Sequence, residues 1–235
     1  MARRKDGGGE GLRGWLGTLV RRTWMKYALR GVAQSDAHAR LERAYLLPDP
    51  WKLDSEPERF RFAETNAQVR RVFGEEIGSL LELGCGEGLQ TEVLTGVSRS
   101  VTGIDVSPTA VGRARRRLPG VEFAVGDLLA QPWPVDQPRF DVVVACEVLY
   151  YMSDVPRTLD RMDQLARLGC LVTYFSPAER RIGRFVAARP GVERTTISFG
   201  DEQWTVAWWR SPRPSDPSAA PSAAPGAGAA GNGAP

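Results

Sequence analysis

Short hydrophobic runs alternate along this chain with longer segments in which apolar residues recur at helical spacing. The clearest run is Phe140–Cys146 (FDVVVAC), which is apolar enough for a strand buried on both faces. Further buried strands are predicted over residues 79–83, 101–104, 121–125 and 170–175. Residues 192–199 and 203–209 alternate with a period of two, as in an antiparallel hairpin. The pattern predicts an α/β fold with a mostly parallel sheet, helices on both faces and an antiparallel C-terminal hairpin.

Helix signals fill the intervals between the predicted strands. Ser55 and Glu58 have the spacing of a capping box, which predicts the start of a helix. This helix runs from about Glu56 to Phe73 and stops at Gly74. A later helix over residues 156–168 is expected to end at Gly169. Other helices are predicted over residues 36–47, with Asp36 as the cap, and over 90–94, 108–118 and 177–188.

The two ends of the chain differ in composition from the middle. Residues 1–34 are basic, and from Trp15 to Leu29 the apolar positions predict a basic amphipathic helix. Two interpretations stay open for this extension: contact with a membrane surface or another anionic partner, or a segment that is poorly ordered or packed on the domain. Residues 211–235 are rich in Pro, Ala, Ser and Gly and are predicted to be disordered. One folded domain is therefore expected over residues 35–210.

Composition excludes several classes of function. The 42% hydrophobic and 25% charged residues are those of a globular protein, and a net charge of +3 is too small to indicate nucleic-acid binding by itself. Three cysteines without metal-ligand spacing and without an export signal predict reduced thiols and a cytoplasmic location. The single histidine, His38, cannot form a multi-histidine metal site, and its polar surroundings argue against a catalytic triad. No metal is expected.

Residues 80–88 (LLELGCGEG) join the first predicted strand to a helix. They carry glycines at alternate positions: Gly84, Gly86 and Gly88. Glycine leaves the backbone open to a ligand because it has no Cβ, and a helix N-terminus offers unpaired N–H groups at the same place. In the dinucleotide fingerprint the third glycine would fall at Leu89, one position later. Glu82 repels a pyrophosphate but favours a cationic amino group or a sulfonium.

Acidic residues also close the next two strands. Asp105 follows the second strand at about the distance from the glycines where nucleotide folds hold ribose hydroxyls. A carboxylate at this position accepts two hydrogen bonds from a vicinal diol. Asp127 follows the third strand, where a turn-forming Gly-Asp pair is the alternative interpretation. The fourth strand ends at Glu147, Tyr150 and Tyr151, which lie where ligands of open α/β sheets bind.

The ordered series of Glu82, glycine loop, Asp105, Asp127 and the Phe140-Asp141 strand resembles the class I S-adenosylmethionine-dependent methyltransferases over residues 79–210. This resemblance implies a Rossmann-like, seven-stranded sheet with an N-terminal helical cap, and S-adenosylmethionine as the cofactor. It implies that Asp127 accepts from the adenine amine. The implied cofactor-binding residues are Glu82, Gly84, Cys85, Gly86, Gly88, Asp105, Val106, Asp127, Leu128 and Cys146.

The Asp49-Pro50-Trp51 turn and the segment from Glu147 to Tyr151 (EVLYY) resemble the nodulation-protein-S-like methyltransferases. That resemblance implies N-methylation of an amino sugar or a similar small molecule. The lack of a candidate histidine base also favours an amine over a hydroxyl acceptor.

Glu147, Tyr150 and Tyr151 are the candidate catalytic residues, and Tyr45 and Trp51 are candidate acceptor-pocket residues, with core packing as the alternative for Trp51. A nucleotide-fold oxidoreductase and a non-catalytic cofactor-binding or interaction protein are the alternative functions.

Overall fold

A computed structural model of the chain describes residues 20–30, 37–131 and 139–211. The predicted C-terminal tail beyond residue 211, the first residues of the basic extension and the predicted cap Asp36 lie outside the described residues. The extension is helical over its described residues 20–28, which form helix α1.

Seven strands form one mixed sheet in the order β3-β2-β1-β4-β5-β7-β6. The strands are β1 Ile77–Leu83, β2 Ser98–Asp105, β3 Glu122–Val125, β4 Phe140–Cys146, β5 Ala166–Phe175, β6 Glu193–Phe199 and β7 Glu202–Arg210. Strands β1 to β5 are parallel, whereas β7 runs antiparallel to both β5 and β6. The predicted sheet and C-terminal hairpin are therefore confirmed. The strand order reverses between β1 and β4, and ligands of such sheets bind at the carboxyl ends of these two strands.

Six further helices complete the described fold. They are α2 Ala37–Ala44, α3 Glu56–Phe73, α4 Leu89–Leu94, α5 Pro108–Arg117, α6 Val155–Leu165 and α7 Glu179–Ala187. Because side chains alternate along a strand, β4 serves two cores. Val143 and Ala145 pack in the core that includes α6 and α7, while Val142 and Val144 pack in the core that includes α3. The sheet is thus covered on both faces, which is why its central strands are almost entirely apolar.

Helix α3 has the predicted bounds, but its predicted capping box does not form. Ser55 is extended and its side chain makes no capping hydrogen bond. The Glu58 carboxylate instead accepts from Nε of Arg61 at 2.8 Å, within the same helix. An ion pair with a buried guanidinium outweighs a hydrogen bond to an exposed helix end, because the buried charge would otherwise be unpaired.

The predicted helix end at Gly169 is wrong. Helix α6 ends at Leu165, β5 begins at Ala166, and Gly169 lies inside β5 with φ of 152°. A Cβ at Gly169 would overlap the carbonyl oxygen of Trp209 on the neighbouring β7. This glycine is required by the close approach of two strands and does not end a helix.

Candidate active site

Two adjoining cavities open at the carboxyl ends of β1 and β4. They share Leu41, Gly84, Asp105, Val148 and Tyr151 as lining residues. The first cavity lies toward α3 and the second toward the turn after β3. Predicted site residues that line the first cavity are Tyr45, Trp51, Glu82, Gly84, Cys85, Gly86, Asp105, Cys146, Glu147, Tyr150 and Tyr151. Predicted residues that line the second are Gly84, Asp105, Val106, Asp127, Leu128 and Tyr151.

The glycine loop adopts backbone angles that favour glycine. Gly84, Gly86 and Gly88 have φ of 74°, 53° and 83°, all in the left-handed region. The backbone N–H of Gly86 donates to Oδ2 of Asp105 at 2.9 Å, which ties the loop to the end of β2. Gly88 does not line either of the two cavities. It lies against α5, where a Cβ at Gly88 would be 3.2 Å from Cβ of Ala114. The cofactor-binding role of Gly88 thus stays a prediction.

Asp105 stands at the junction of the two cavities. Its Oδ1 accepts from the N–H of Ser107 at 2.9 Å, while Oδ2 accepts from Gly86. Burial raises the pKa of the Asp105 carboxyl to about 6, although these two hydrogen bonds lower it. Each carboxylate oxygen accepts one of these backbone hydrogen bonds and has further acceptor capacity for a diol.

Glu82 lies at the floor of the first cavity and is only 2% exposed. Its Oε2 accepts a hydrogen bond from Oγ1 of Thr91 in α4. Burial raises the pKa of the Glu82 carboxyl to about 7, against the lowering effects of Thr91 and of the Arg61 guanidinium. A carboxyl group in this environment ionises more readily when a cation lies beside it.

Arg61 and Gln90 are two polar residues of the first cavity that the sequence did not reveal as site residues. Arg61 is 1% exposed, and its Nη1 donates to Oε1 of Gln90 at 3.1 Å. Burial lowers the pKa of Arg61, but the carboxylates of Glu147 and Glu58 more than offset this, so the pKa is raised overall. Nε2 of Gln90 is buried and has no hydrogen-bond partner among the described residues. Such an orphaned donor beside a guanidinium is suited to a ligand carboxylate.

One sequence signal could have placed Arg61 in the interior. It precedes buried Thr65, Val69 and Val72 on α3 at intervals of three to four residues, so all four share the inward face. Charged side chains are rarely buried unless they are paired, so a charged residue on an otherwise buried helix face is a candidate site residue.

Glu147 follows β4 with a φ of 56°, one of three non-glycine residues with positive φ among the described residues. Its carboxylate accepts from Oγ1 of Thr173 at 3.0 Å, the N–H of Phe175 at 2.9 Å and the hydroxyl of Tyr150 at 3.2 Å. Burial raises the pKa of the Glu147 carboxyl, and Arg61 lowers it in part. The strained backbone is thus held by three hydrogen bonds that aim the carboxylate into the cavity rim.

Aromatic side chains connect the N-terminal cap to the end of β4. The ring centroids of Tyr45 and Trp51 are 4.9 Å apart, and those of Tyr150 and Tyr151 are 4.6 Å apart. Nε1 of Trp51 donates to the hydroxyl of Tyr151 at 2.9 Å. Trp51 therefore packs against other aromatic rings, as the core-packing interpretation expects. It also lines the first cavity, as expected of an acceptor-pocket residue.

The second cavity has a polar and an apolar side. Oδ1 of Asp127 accepts from the N–H of Leu129 at 2.8 Å, and Oδ2 lies 3.3 Å from Nε2 of His38. The turn-forming interpretation of Asp127 is therefore correct, and the same carboxylate also faces the cavity. Val106 and Leu128 supply apolar surface beside it. A flat heterocycle with an exocyclic amine fits this combination.

Two cysteines line the first cavity but are not activated nucleophiles. Burial raises the pKa of Cys85 well above its ordinary value and that of Cys146 to about 12. Among the described residues no group of three or more His, Cys, Asp or Glu side chains could hold a metal ion. No helix in the described part of the chain is both long and apolar enough to cross a membrane.

The fold and the site together define an S-adenosylmethionine-dependent methyltransferase, and comparisons with known proteins agree. The crystal structure of N-methyltransferase NodS from Bradyrhizobium japonicum WM9 in complex with S-adenosyl-L-homocysteine matches with a TM-score of 0.59 and 27% identity. The match covers 76% of this chain and all of that one. The family profile of nodulation protein S (NodS) matches residues 33–188. The chain therefore belongs to the NodS family.

Curated relatives point the same way. Nodulation protein S of Bradyrhizobium diazoefficiens is 32% identical over 155 residues, which are 64% of this chain and 69% of that protein. Nodulation protein S of Rhizobium tropici is 33% identical over 142 residues, and the matched part covers only 58% of its length. The enzyme class and the cofactor are common to the family, which removes the oxidoreductase alternative. The acceptor is a separate question.

Proposed function

We propose that this chain transfers the methyl group of S-adenosylmethionine to an amine of a small molecule, such as an amino sugar. The observation that carries this proposal is the Glu147 carboxylate, which three hydrogen bonds hold at the rim of a cavity walled by aromatic rings. Carboxylate and aromatic faces are the groups that bind an ammonium ion.

The cofactor supplies a methyl group that its sulfonium already activates. In the proposal, Arg61 and Nε2 of Gln90, which no described residue pairs, bind the carboxylate of the methionyl part, and Glu82 binds its amino group. Asp105 accepts from the ribose hydroxyls. The fit rests on observations of this chain: an orphaned buried donor, a bare glycine backbone, and carboxylates at the strand ends.

The second cavity takes the adenine in the same proposal. Val106 and Leu128 contact its faces, and Asp127 accepts from its exocyclic amine. Asp127 keeps acceptor capacity for this contact because Oδ1 accepts one hydrogen bond, from Leu129, Oδ2 lies near Nε2 of His38, and each carboxylate oxygen can accept a further hydrogen bond.

The acceptor amine must lose its proton before it attacks. Burial raises the pKa of Glu147, so its carboxylate has a greater affinity for a proton than an exposed glutamate has. Glu147 thus receives the proton of the bound ammonium, and the hydroxyl of Tyr150 holds Oε2 of Glu147 in place. Trp51, Tyr45 and Tyr151 orient the acceptor through their ring faces, since methyl transfer depends chiefly on alignment.

Paired acceptors test the proposal. Purified full-length protein is incubated with methyl-labelled S-adenosylmethionine and a panel of amino sugars, each beside the sugar that carries a hydroxyl at the same carbon. We expect label in the amino sugars, with the N-methyl product identified by mass spectrometry. Equal or preferential labelling of the hydroxyl sugars would contradict the amine assignment while leaving the enzyme class intact.

A further inference from the structure

The most exposed large apolar side chains of the described residues all lie in the N-terminal cap. Val20 and Leu46 are each 62% exposed, and Tyr27 is 60% exposed. The next most exposed large apolar side chain in the described part of the chain is Val125, at 41%. Single exposed apolar residues are ordinary on a protein surface, whereas several that share one surface indicate a contact with another body.

The elements that carry these three side chains are neighbours. Val20 and Tyr27 are seven residues apart on α1, so they lie on the same face of that helix. The Arg43 guanidinium lies 5.7 Å from the ring centroid of Tyr27, which brings the end of α2 beside α1. The N–H of Leu46 donates to the carbonyl of Arg43, so Leu46 is within one turn of that contact.

One side of α1 is fixed to the domain. Ala28 is fully buried, and Nη1 of Arg21, seven residues earlier, donates to the carbonyl oxygen of Asp49. These two residues lie about 100° around the helix from Val20 and Tyr27, which stay exposed beside the contact.

Basic side chains lie on the rest of the exposed side of α1 and on α2. Arg22, Lys26 and Arg30 are exposed at intervals of four along α1 and the turn that follows it, and Arg43 is exposed on α2. The carboxylate of Glu42, the acidic residue of α2, accepts hydrogen bonds from Ser107 and Thr109 of the domain and is thus directed toward α5. Further upstream, the sequence adds four cations, Arg3, Arg4, Lys5 and Arg13, against two anions, Asp6 and Glu10.

We propose that this surface docks the protein on anionic phospholipid membranes. We call it the basic N-terminal face and define it as Val20, Arg22, Lys26, Tyr27, Arg43 and Leu46. Apolar side chains of a basic amphipathic helix enter the acyl boundary while its cations pair with lipid phosphates, and this face offers both. Arg43 of this face is exposed on α2, whereas Leu41 of α2 and Tyr45, which follows the helix, line the first cavity. The proposal does not depend on the acceptor.

Vesicle co-sedimentation of the full-length protein tests the proposal. Vesicles of phosphatidylcholine alone are compared with vesicles that also contain phosphatidylglycerol, each at low and at high salt. We expect partitioning into the anionic vesicles to be at least about tenfold stronger, with most of the difference lost at high salt. Equal partitioning into both kinds of vesicle, or none into either, would overturn the proposal.

Three double variants test whether vesicle binding depends on this face or on the overall positive charge of the protein. Arg22→Glu with Lys26→Glu, and Tyr27→Ser with Leu46→Ser, should each reduce anionic-vesicle binding by about tenfold or more. Arg180→Glu with Arg181→Glu changes exposed cations of α7 and should leave it unchanged. Affinity for S-adenosyl-L-homocysteine reports that each variant is folded. Equal losses in all three variants, or tighter binding to duplex DNA than to vesicles, would count against the membrane face.

Discussion

Nη1 of Arg61 donates to Oε1 of Gln90 at 3.1 Å, and this contact joins the helical cap to the first helix after the glycine loop. Nε2 of Gln90 is buried at the first cavity and has no hydrogen-bond partner in the part of the chain that the structure describes. A buried amide that is only half satisfied is costly unless a ligand completes it. The pair therefore marks where the carboxylate end of the cofactor is expected to bind.

Gln90→Leu should weaken S-adenosyl-L-homocysteine binding by about 10-fold or more, because it removes hydrogen bonds to a charged group. The same variant should bind 5′-methylthioadenosine, which lacks the amino-acid part, as the wild type does. Calorimetry with both ligands measures the difference. If the two ligands lost affinity equally, Gln90 would act on the loop as a whole and not on the carboxylate.

The raised pKa of Glu82 predicts how stability depends on pH. Because its folded pKa of about 7 lies above the ordinary 4.5, the folded chain binds more protons than the unfolded chain between these values. The stabilisation is complete below the ordinary pKa and is lost as pH rises through about 7. Glu82→Gln should flatten this fall in unfolding free energy, as measured by denaturant titrations from about pH 5 to pH 8. An unchanged pH profile in the variant would contradict the assigned pKa.

Glu147→Gln should lower turnover by about 10²-fold or more while S-adenosyl-L-homocysteine affinity stays near that of the wild type, since a positioned proton acceptor is lost. Steady-state kinetics and calorimetry on the same preparation give both numbers. Tyr150→Phe removes the hydrogen bond to Oε2 of Glu147 but keeps the carboxylate, so it should have a smaller effect on turnover. Parallel loss of cofactor affinity in Glu147→Gln would assign this carboxylate to the cofactor site.

Two glycines of the same loop should respond differently to alanine. A Cβ at Gly86 would lie 2.7 Å from the Tyr45 hydroxyl in the first cavity, so Gly86→Ala should lose both stability and cofactor affinity. Gly88→Ala meets Ala114 of α5 and should cost about 1–2 kcal/mol of stability through its left-handed backbone, with affinity retained. Thermal unfolding and calorimetry distinguish the two. If folded Gly88→Ala lost affinity for S-adenosyl-L-homocysteine, Gly88 would be assigned to the cofactor site.

The fold was predictable because its signals are local. The strand from Phe140 to Cys146 is continuous and apolar, and the glycine loop and Asp105 mark the ends of β1 and β2. Because the carboxyl ends of parallel strands lie at one edge of the sheet, residues predicted at those ends are expected to lie close together. Leu83 of β1 pairs with Ile104 of β2 and with Ala145 of β4, so these three strands end at the same level of the sheet.

The errors and omissions arise from contacts distant in sequence. Arg61 and Gln90 are 29 residues apart, and neither has a local pattern that predicts their hydrogen bond. Residues 166–168 (ARL) favour helix by intrinsic propensity, yet Ala166 pairs with Phe140 of β4 and the segment begins β5. Gly169 was interpreted as a helix stop because its close approach to Trp209 is a tertiary contact.

The most direct measurement is the affinity of the protein for S-adenosyl-L-homocysteine when Asp105, at the junction of the two cavities, is changed. Asp105→Asn should reduce the calorimetric affinity by about 10–100-fold, because it removes a charged acceptor for the ribose hydroxyls. Asp141→Asn, at the opposite end of β4, should leave the affinity unchanged. Wild-type affinity in Asp105→Asn, or no measurable binding by the wild type, would contradict the proposed cofactor site.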